Sequence, residues 1–106
     1  MTVKDFYEVF TTVQFQRMTP GTYATRKSML RCHFLPVCGA LQISAVTPCT
    51  INSIFEGMEH EGLAQNTVFG AYVAINAFFR LAMEFGFISE NPAEEARHIK
   101  QKIKKS

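Results

Sequence analysis

Phe34-Leu35-Pro36-Val37-Cys38-Gly39, Thr47-Pro48, Gly62-Leu63, Asn66-Thr67, Phe78-Phe79-Arg80-Leu81-Ala82, Gly86-Phe87-Ile88 and Asn91-Pro92 follow one another along residues 34–92. Most are helix punctuation. Proline removes a donor, glycine supplies a left-handed residue, and Thr or Asn before proline caps a new helix. Between the marks, apolar residues recur at intervals of three and four rather than two, which predicts helices and argues against strands.

Working outward, Val3, Phe6, Tyr7, Phe10 and Val13 form one apolar stripe, so a first helix is expected to run from the N-terminus to about Arg17. Pro20-Gly21 is read as its breaker. A second helix is expected from Thr22, whose hydroxyl would cap it, through Tyr23, Leu30 and Phe34 until Pro36 and Gly39 close it. Residues 40–46 read as an extended connector pinned to the core by Leu41, Ile43 and Val46. Thr47-Pro48 opens a third helix with Ile51, Ile54, Phe55 and Met58 inside and Glu56, Glu59 and Glu61 outside, ended by Gly62. The fourth and longest runs from about Gln65 to Phe85, with Val68, Tyr72, Ile75, Phe78, Phe79, Ala82 and Phe85 inward. Small residues Gly70, Ala71, Ala74 and Ala77 flank it. They permit close approach of another helix or of a phosphate backbone, and the sequence leaves both open. Asn91-Pro92-Ala93-Glu94 reads as a capping-box variant opening a short C-terminal helix with little to bury, which should fray.

The chain has 106 residues, 47% of them hydrophobic, which suits a single small domain with one core. The net charge of +2 decides little, but its distribution is uneven. Residues 9–55 contain no acid while holding Arg17, Arg26, Lys27 and Arg31, and residues 62–83 are also acid-free. Arg97, Lys100, Lys102, Lys104 and Lys105 end the chain. Such stretches suit a phosphate-facing surface. The acidic side of the third helix would face away from one.

Cys32, Cys38 and Cys49 are odd in number and match no zinc spacing, and His33, His60 and His98 are scattered, so neither metal nor cofactor is expected. The thiols read as reduced residues in or near the core. No stretch approaches the roughly 20 apolar residues of a membrane span. A soluble, cytoplasmic protein of a bacterial or phage-infected cell is expected.

Taken together, Thr22-Tyr23, Pro36 to Gly39, Thr47, Gly62-Leu63, Thr67, Phe78-Phe79-x-x-Ala82, Gly86-x-Ile88 and Asn91-Pro92 resemble, in order and spacing, the core-binding domain of phage-type tyrosine recombinases, or integrases. The resemblance spans about residues 3–92. It implies an all-α, four-helix SAM-like bundle, here residues 1–91, with residues 92–106 as a linker helix toward a catalytic domain. It further implies double-stranded DNA as partner, at one face of the core recombination site. The fragment is expected to be monomeric and the whole recombinase tetrameric on DNA.

The family's chemistry needs a tyrosine nucleophile ringed by arginines. Tyr7, Tyr23 and Tyr72 instead fall on apolar helix sides and read as core, so binding without catalysis is expected. The family meets DNA with the start of its second helix and the first half of its fourth. That implies Thr22, Thr25, Arg26, Lys27 and Arg31 on one side and Asn66, Thr67 and Gly70 on the other. Hydroxyls, amides and helix N-termini suit phosphate oxygens, and Asn can read an adenine edge. Arg26 has two placements open, its head on DNA or its stem over the core. If about four phosphates are neutralised, log K should fall against log salt with a slope of about −3.6.

The competing reading is a small helical protein–protein interaction domain, docking through Phe6, Phe10 and Phe15 or through the Gly70-Ala71-Ala74 flank. A helix-turn-helix regulator is disfavoured, because no two short helices are joined by a tight turn.

Overall fold

The computed structural model describes residues 1–96. Within them the chain is helical: α1 Val3–Arg17, α2 Pro20–Met29, a π-helical turn Leu30–Phe34, α3 Leu35–Cys38, a 3-10 turn Ile43–Ala45, α4 Pro48–His60 and α5 Gln65–Glu84. Because α2, the π turn and α3 are continuous, the elements make four helical rods, as the apolar spacing predicts.

α1 begins with a full capping box: Thr2 Oγ1 accepts from the Asp5 amide at 3.1 Å, and the Thr2 amide donates to Asp5 Oδ2 at 3.3 Å. α2 starts two residues earlier than expected. Pro20 is not a breaker but the first helical residue, where its missing N–H costs nothing. Thr22 is therefore inside the first turn rather than at the cap, and its hydroxyl accepts from Thr19 Oγ1 at 3.0 Å.

The π turn has a local cause. Pro36 has no N–H to offer the Cys32 carbonyl and its ring crowds that oxygen, so the turn widens and the Leu35 amide reaches back to Leu30 O. The wider turn carries Leu30 and Phe34 into the core without ending the rod. After Gly39 the chain passes the start of α1. The Lys4 and Val3 amides donate to Gly39 O (3.0 Å) and Leu41 O (2.8 Å), and the Ile43 amide to Met1 O (3.0 Å). The extended connector thus has a pairing partner, residues 1–4, through an isolated antiparallel bridge between Thr2 and Gln42. Ile43 and Val46 are buried as expected, whereas Leu41 is exposed and meets α1 through its backbone carbonyl.

α4 follows its sequence closely. Thr47 Oγ1 accepts from the Thr50 amide at 3.3 Å, Pro48 opens the helix, and Ile51, Ile54, Phe55 and Met58 are buried. Gly62 at φ 78° and Gly86 at φ 81° close α4 and α5 in the same way. The Leu63 amide returns to Met58 O (3.2 Å) and the Phe87 amide to Ala82 O (3.0 Å), the wrapped ending that a left-handed glycine permits.

The core is aromatic, with Phe78 at its centre. Ring centroids of Phe6, Phe34, Phe79 and Phe10 lie 5.2, 5.1, 5.2 and 5.6 Å from it, joining α1, the π turn and α5. Most of these contacts are edge-to-face, which the ring quadrupoles favour. Leu81 is buried, Tyr72 is half-buried, and Phe85 lies at the rim, more exposed than its spacing predicts because α5 ends beneath it.

Past α5, residues 92–95 form hydrogen-bonded turns rather than the expected helix. Asn91 Oδ1 accepts from the Ala93 amide at 2.9 Å, so its side chain caps a tight turn and the expected capping box with Glu94 does not form. Ala93 and Ala96 are fully buried, carrying the core past Asn91. The rest of the expected linker helix, residues 97–106, lies outside the described residues.

Candidate nucleic-acid interface

The residues implied in DNA contact fall on two rods. On α2 and the π turn, Thr22, Thr25, Lys27 and Arg31 are exposed and Arg26 is half-buried. On the first turns of α5, Asn66 is exposed while Thr67 and Gly70 are half-buried. Where Met29 meets Gly70, a Cβ on the glycine would lie 3.5 Å from Met29 Cε. Further along, Phe34 meets Phe78 and Phe79. Contacts advance in the same sense along both rods, so the end of α2 lies against the first turns of α5 and the π turn follows α5 toward its middle. The small flank of α5 is thus used by another helix: Ala71 and Ala74 are fully buried and Gly70 faces Met29.

No buried residue is counted in α2 itself, so its surface is set by solvent and by neighbours at its edges. Thr25 Oγ1 donates to Gly21 O at 3.0 Å, which leaves the hydroxyl oxygen open to accept. Lys27 Nζ sits 5.7 Å from the Tyr23 ring centroid, within the range of a cation–π contact. Tyr7, buried on α1, donates from its hydroxyl to Lys27 O at 3.4 Å and fixes the α1 to α2 spacing there. Burial raises the Tyr7 pKa above its ordinary value, and the positive charge of Arg31 works against that rise.

Burial of the three tyrosines differs from the expected core placement in one case. Tyr7 is buried and Tyr72 packs half-buried against the core, but Tyr23, also half-buried, packs outside it, edge-on to Phe15 at 5.4 Å. Of the three cysteines only Cys38 is buried; Cys32 and Cys49 are exposed, contrary to a shared core placement. Among the described residues no group of three or more His, Cys, Asp or Glu is placed to hold a metal ion. No described helix is long and apolar enough to cross a membrane. Two of the residues offered for protein docking, Phe6 and Phe10, are buried in the core, which leaves Phe15 as the exposed one.

Sequence reasoning missed the Thr2 capping box and the Phe15–Tyr23–Lys27 corner. The first was legible as Thr2-x-x-Asp5 ahead of an apolar run. The second was half-legible, since Tyr23 and Lys27 are one turn apart, but pairing Phe15 with them needs the antiparallel placement of α1 and α2.

A family model described as the N-terminal SAM-like domain of phage integrase matches residues 2–56. Among solved structures, the chain is similar to the integrase-like domain from Bacillus cereus, with a TM-score of 0.80 at 17% identity, covering 87% of this chain and 78% of that one. It is also similar to a fragment, residues 61–160, of a protein from Clostridium leptum, with a TM-score of 0.78 at 27% identity, covering 91% and 86%. No curated protein matches. The family match includes α1, α2, the π turn, α3 and most of α4, and the two structural likenesses extend the shared all-helical architecture over α5.

Proposed function

This chain belongs to the family of phage-integrase N-terminal SAM-like domains, and on that footing we propose that it is the module with which a tyrosine recombinase grips one face of the core recombination site in double-stranded DNA. It supplies hold and position. Catalysis belongs to a separate domain toward which the segment after Asn91 leads, with residues 1–91 as the binding unit and the assembled recombinase acting as a tetramer.

The observation that supports this reading is the pairing of surface and charge. Residues 9–55 carry no acid, and within them α2 and the π turn expose Thr22, Thr25, Lys27 and Arg31 beside half-buried Arg26. Lys27 and Arg31 supply charge for phosphates and the hydroxyls supply directed hydrogen bonds. From α5, Asn66 and Thr67 join through its open N-terminal turn, whose Ala64 cap leaves the first amides free of a side-chain partner. Half-buried Gly70, one turn further along α5, offers backbone without a side chain on the same stretch. Half-buried Arg26 suits a stem laid on the protein with its head toward the duplex.

A heteronuclear NMR titration with duplex carrying the element's crossover-site arm tests the reading. Amides of residues 22–31 and 66–74 are expected to shift, with affinity falling steeply as salt is added. Shifts confined to the Lys-rich C-terminal residues, or none, would overturn it.

A further inference from the structure

We propose that Phe15, braced by Tyr23 and Lys27, extends the DNA-binding face from α2 onto the end of α1 and there meets the apolar surface of the duplex, its deoxyribose carbons and thymine methyl groups. The inference rests on the DNA-binding reading above and adds to it a contact that carries no charge.

Phe15 is 69% exposed, more than any other large apolar side chain among the described residues. It falls off the stripe that buries Phe6 and Phe10, so packing of α1 does not require it. Its ring is nonetheless held. It meets Tyr23 edge-on, centroids 5.4 Å apart and planes at 78°, and on the same tyrosine ring Lys27 brings its Nζ to 5.7 Å from the centroid. Phenyl, phenol and ammonium are thus gathered into one corner where α1 ends and α2 begins.

Charge selects the partner. No acid occurs from residue 9 to residue 55, and Glu84, which reaches the end of α1, is paired with Arg17 at 3.4 Å. A surface that joins a bare aromatic ring to unopposed cations fits a polyanion that presents carbon beside phosphate. Duplex DNA does so at every nucleotide, through its sugars and, in the major groove, through the thymine methyl. Because burying carbon releases no counterions, such a contact should add affinity without adding to the salt dependence, whereas a lysine on a phosphate adds to both.

Fluorescence anisotropy with a labelled duplex of the crossover-site arm, over a series of salt concentrations, tests the proposal with wild type, Phe15→Ala, Phe15→Leu and Lys27→Gln. Phe15→Ala is expected to weaken binding roughly tenfold at every salt concentration with an unchanged slope. Phe15→Leu, which keeps the carbon, should retain most of the affinity, and Lys27→Gln should reduce the slope by about 1. The same series on duplex with deoxyuridine in place of thymidine separates the two carbon sources: if the Phe15→Ala penalty disappears there, the methyls are the contact, and if it persists, the sugars are. Phe15→Ala binding as tightly as wild type, while Lys27→Gln is impaired, would overturn the proposal and leave the DNA-binding reading standing. Wild type that ignores duplex altogether would remove both.

Discussion

Asn91 donates from Nδ2 to Asn76 Oδ1 at 2.7 Å while its own Oδ1 accepts from the Ala93 amide at 2.9 Å, so one buried side chain ties the segment after α5 back onto the middle of α5. Replacing either partner strands a buried polar group. Asn91→Ala is expected to cost about 2–3 kcal/mol and Asn76→Ala about 1–3 kcal/mol in urea unfolding, with faster hydrogen exchange at the Ala93 amide in both. If the Ala93 amide exchanges at the wild-type rate in Asn91→Ala, the side chain is not what holds this turn.

Thr47 and Thr22 separate a cap from a surface hydroxyl. Thr47 satisfies the Thr50 amide and Thr22 satisfies no helix amide. Thr47→Ala should lower stability by about 1 kcal/mol, whereas Thr22→Ala should stay within about 0.5 kcal/mol and act instead on duplex affinity. Thermal melts of the two variants side by side check the contrast.

Two glycines should respond with opposite sign. A Cβ on Gly39 would lie 2.7 Å from Leu35 O, a backbone atom that cannot yield without disturbing the turn paired with α1, whereas a Cβ on Gly57 meets nothing within 4 Å in the interior of α4. Gly39→Ala is expected to destabilise by more than about 1 kcal/mol, and Gly57→Ala to stabilise by roughly 0.5–1 kcal/mol. Chemical denaturation curves measure both, and equal responses would contradict this geometry.

Burial pushes the Cys38 thiol up from 9.0 to about 11. Maleimide labelling at neutral pH should therefore modify Cys32 and Cys49 in the folded protein, with Cys38 reacting only on unfolding. The alkaline consequence has a definite sign. Between about pH 9 and pH 11 the unfolded thiol loses its proton and the native one keeps it, so the stability held below pH 9 declines as pH rises through that window. Tyr7 and Tyr72, also raised by burial, add the same trend at the upper end. Cys38→Ala should flatten the decline across this window, which pH-dependent unfolding would reveal; an equally steep curve would place the effect elsewhere.

Much of the fold was legible because its punctuation is local chemistry. Thr47-Pro48, Gly62 and the apolar spacing of α4 each act within one or two turns, so residue order alone specifies them. Pro20 opens α2 where the sequence suggests a break, because proline marks a helix start as readily as an end, and the choice depends on how the chain turns after Arg17. The pairing of the connector with residues 1–4 is not legible in the sequence, because the two lie about forty positions apart. For the candidate interface, sequence indicated which residues are polar or basic, but not that Gly70 would face Met29 or that Arg26 would be half-buried.

The sequence by itself determined the four main rods, most of their ends and the acid-free stretches, because capping, helix periodicity and charge are set by near neighbours along the chain. Tertiary structure alone decided that Phe78 would be the hub of the core, that Asn91 would close on Asn76, and that Phe15 would stand beside Tyr23 and Lys27. Each of these depends on at least one pair of residues far apart in sequence, such as Phe6 with Phe78, Asn76 with Asn91 and Phe15 with Tyr23, on segments whose relative placement follows from packing a whole core at once and not from any local preference.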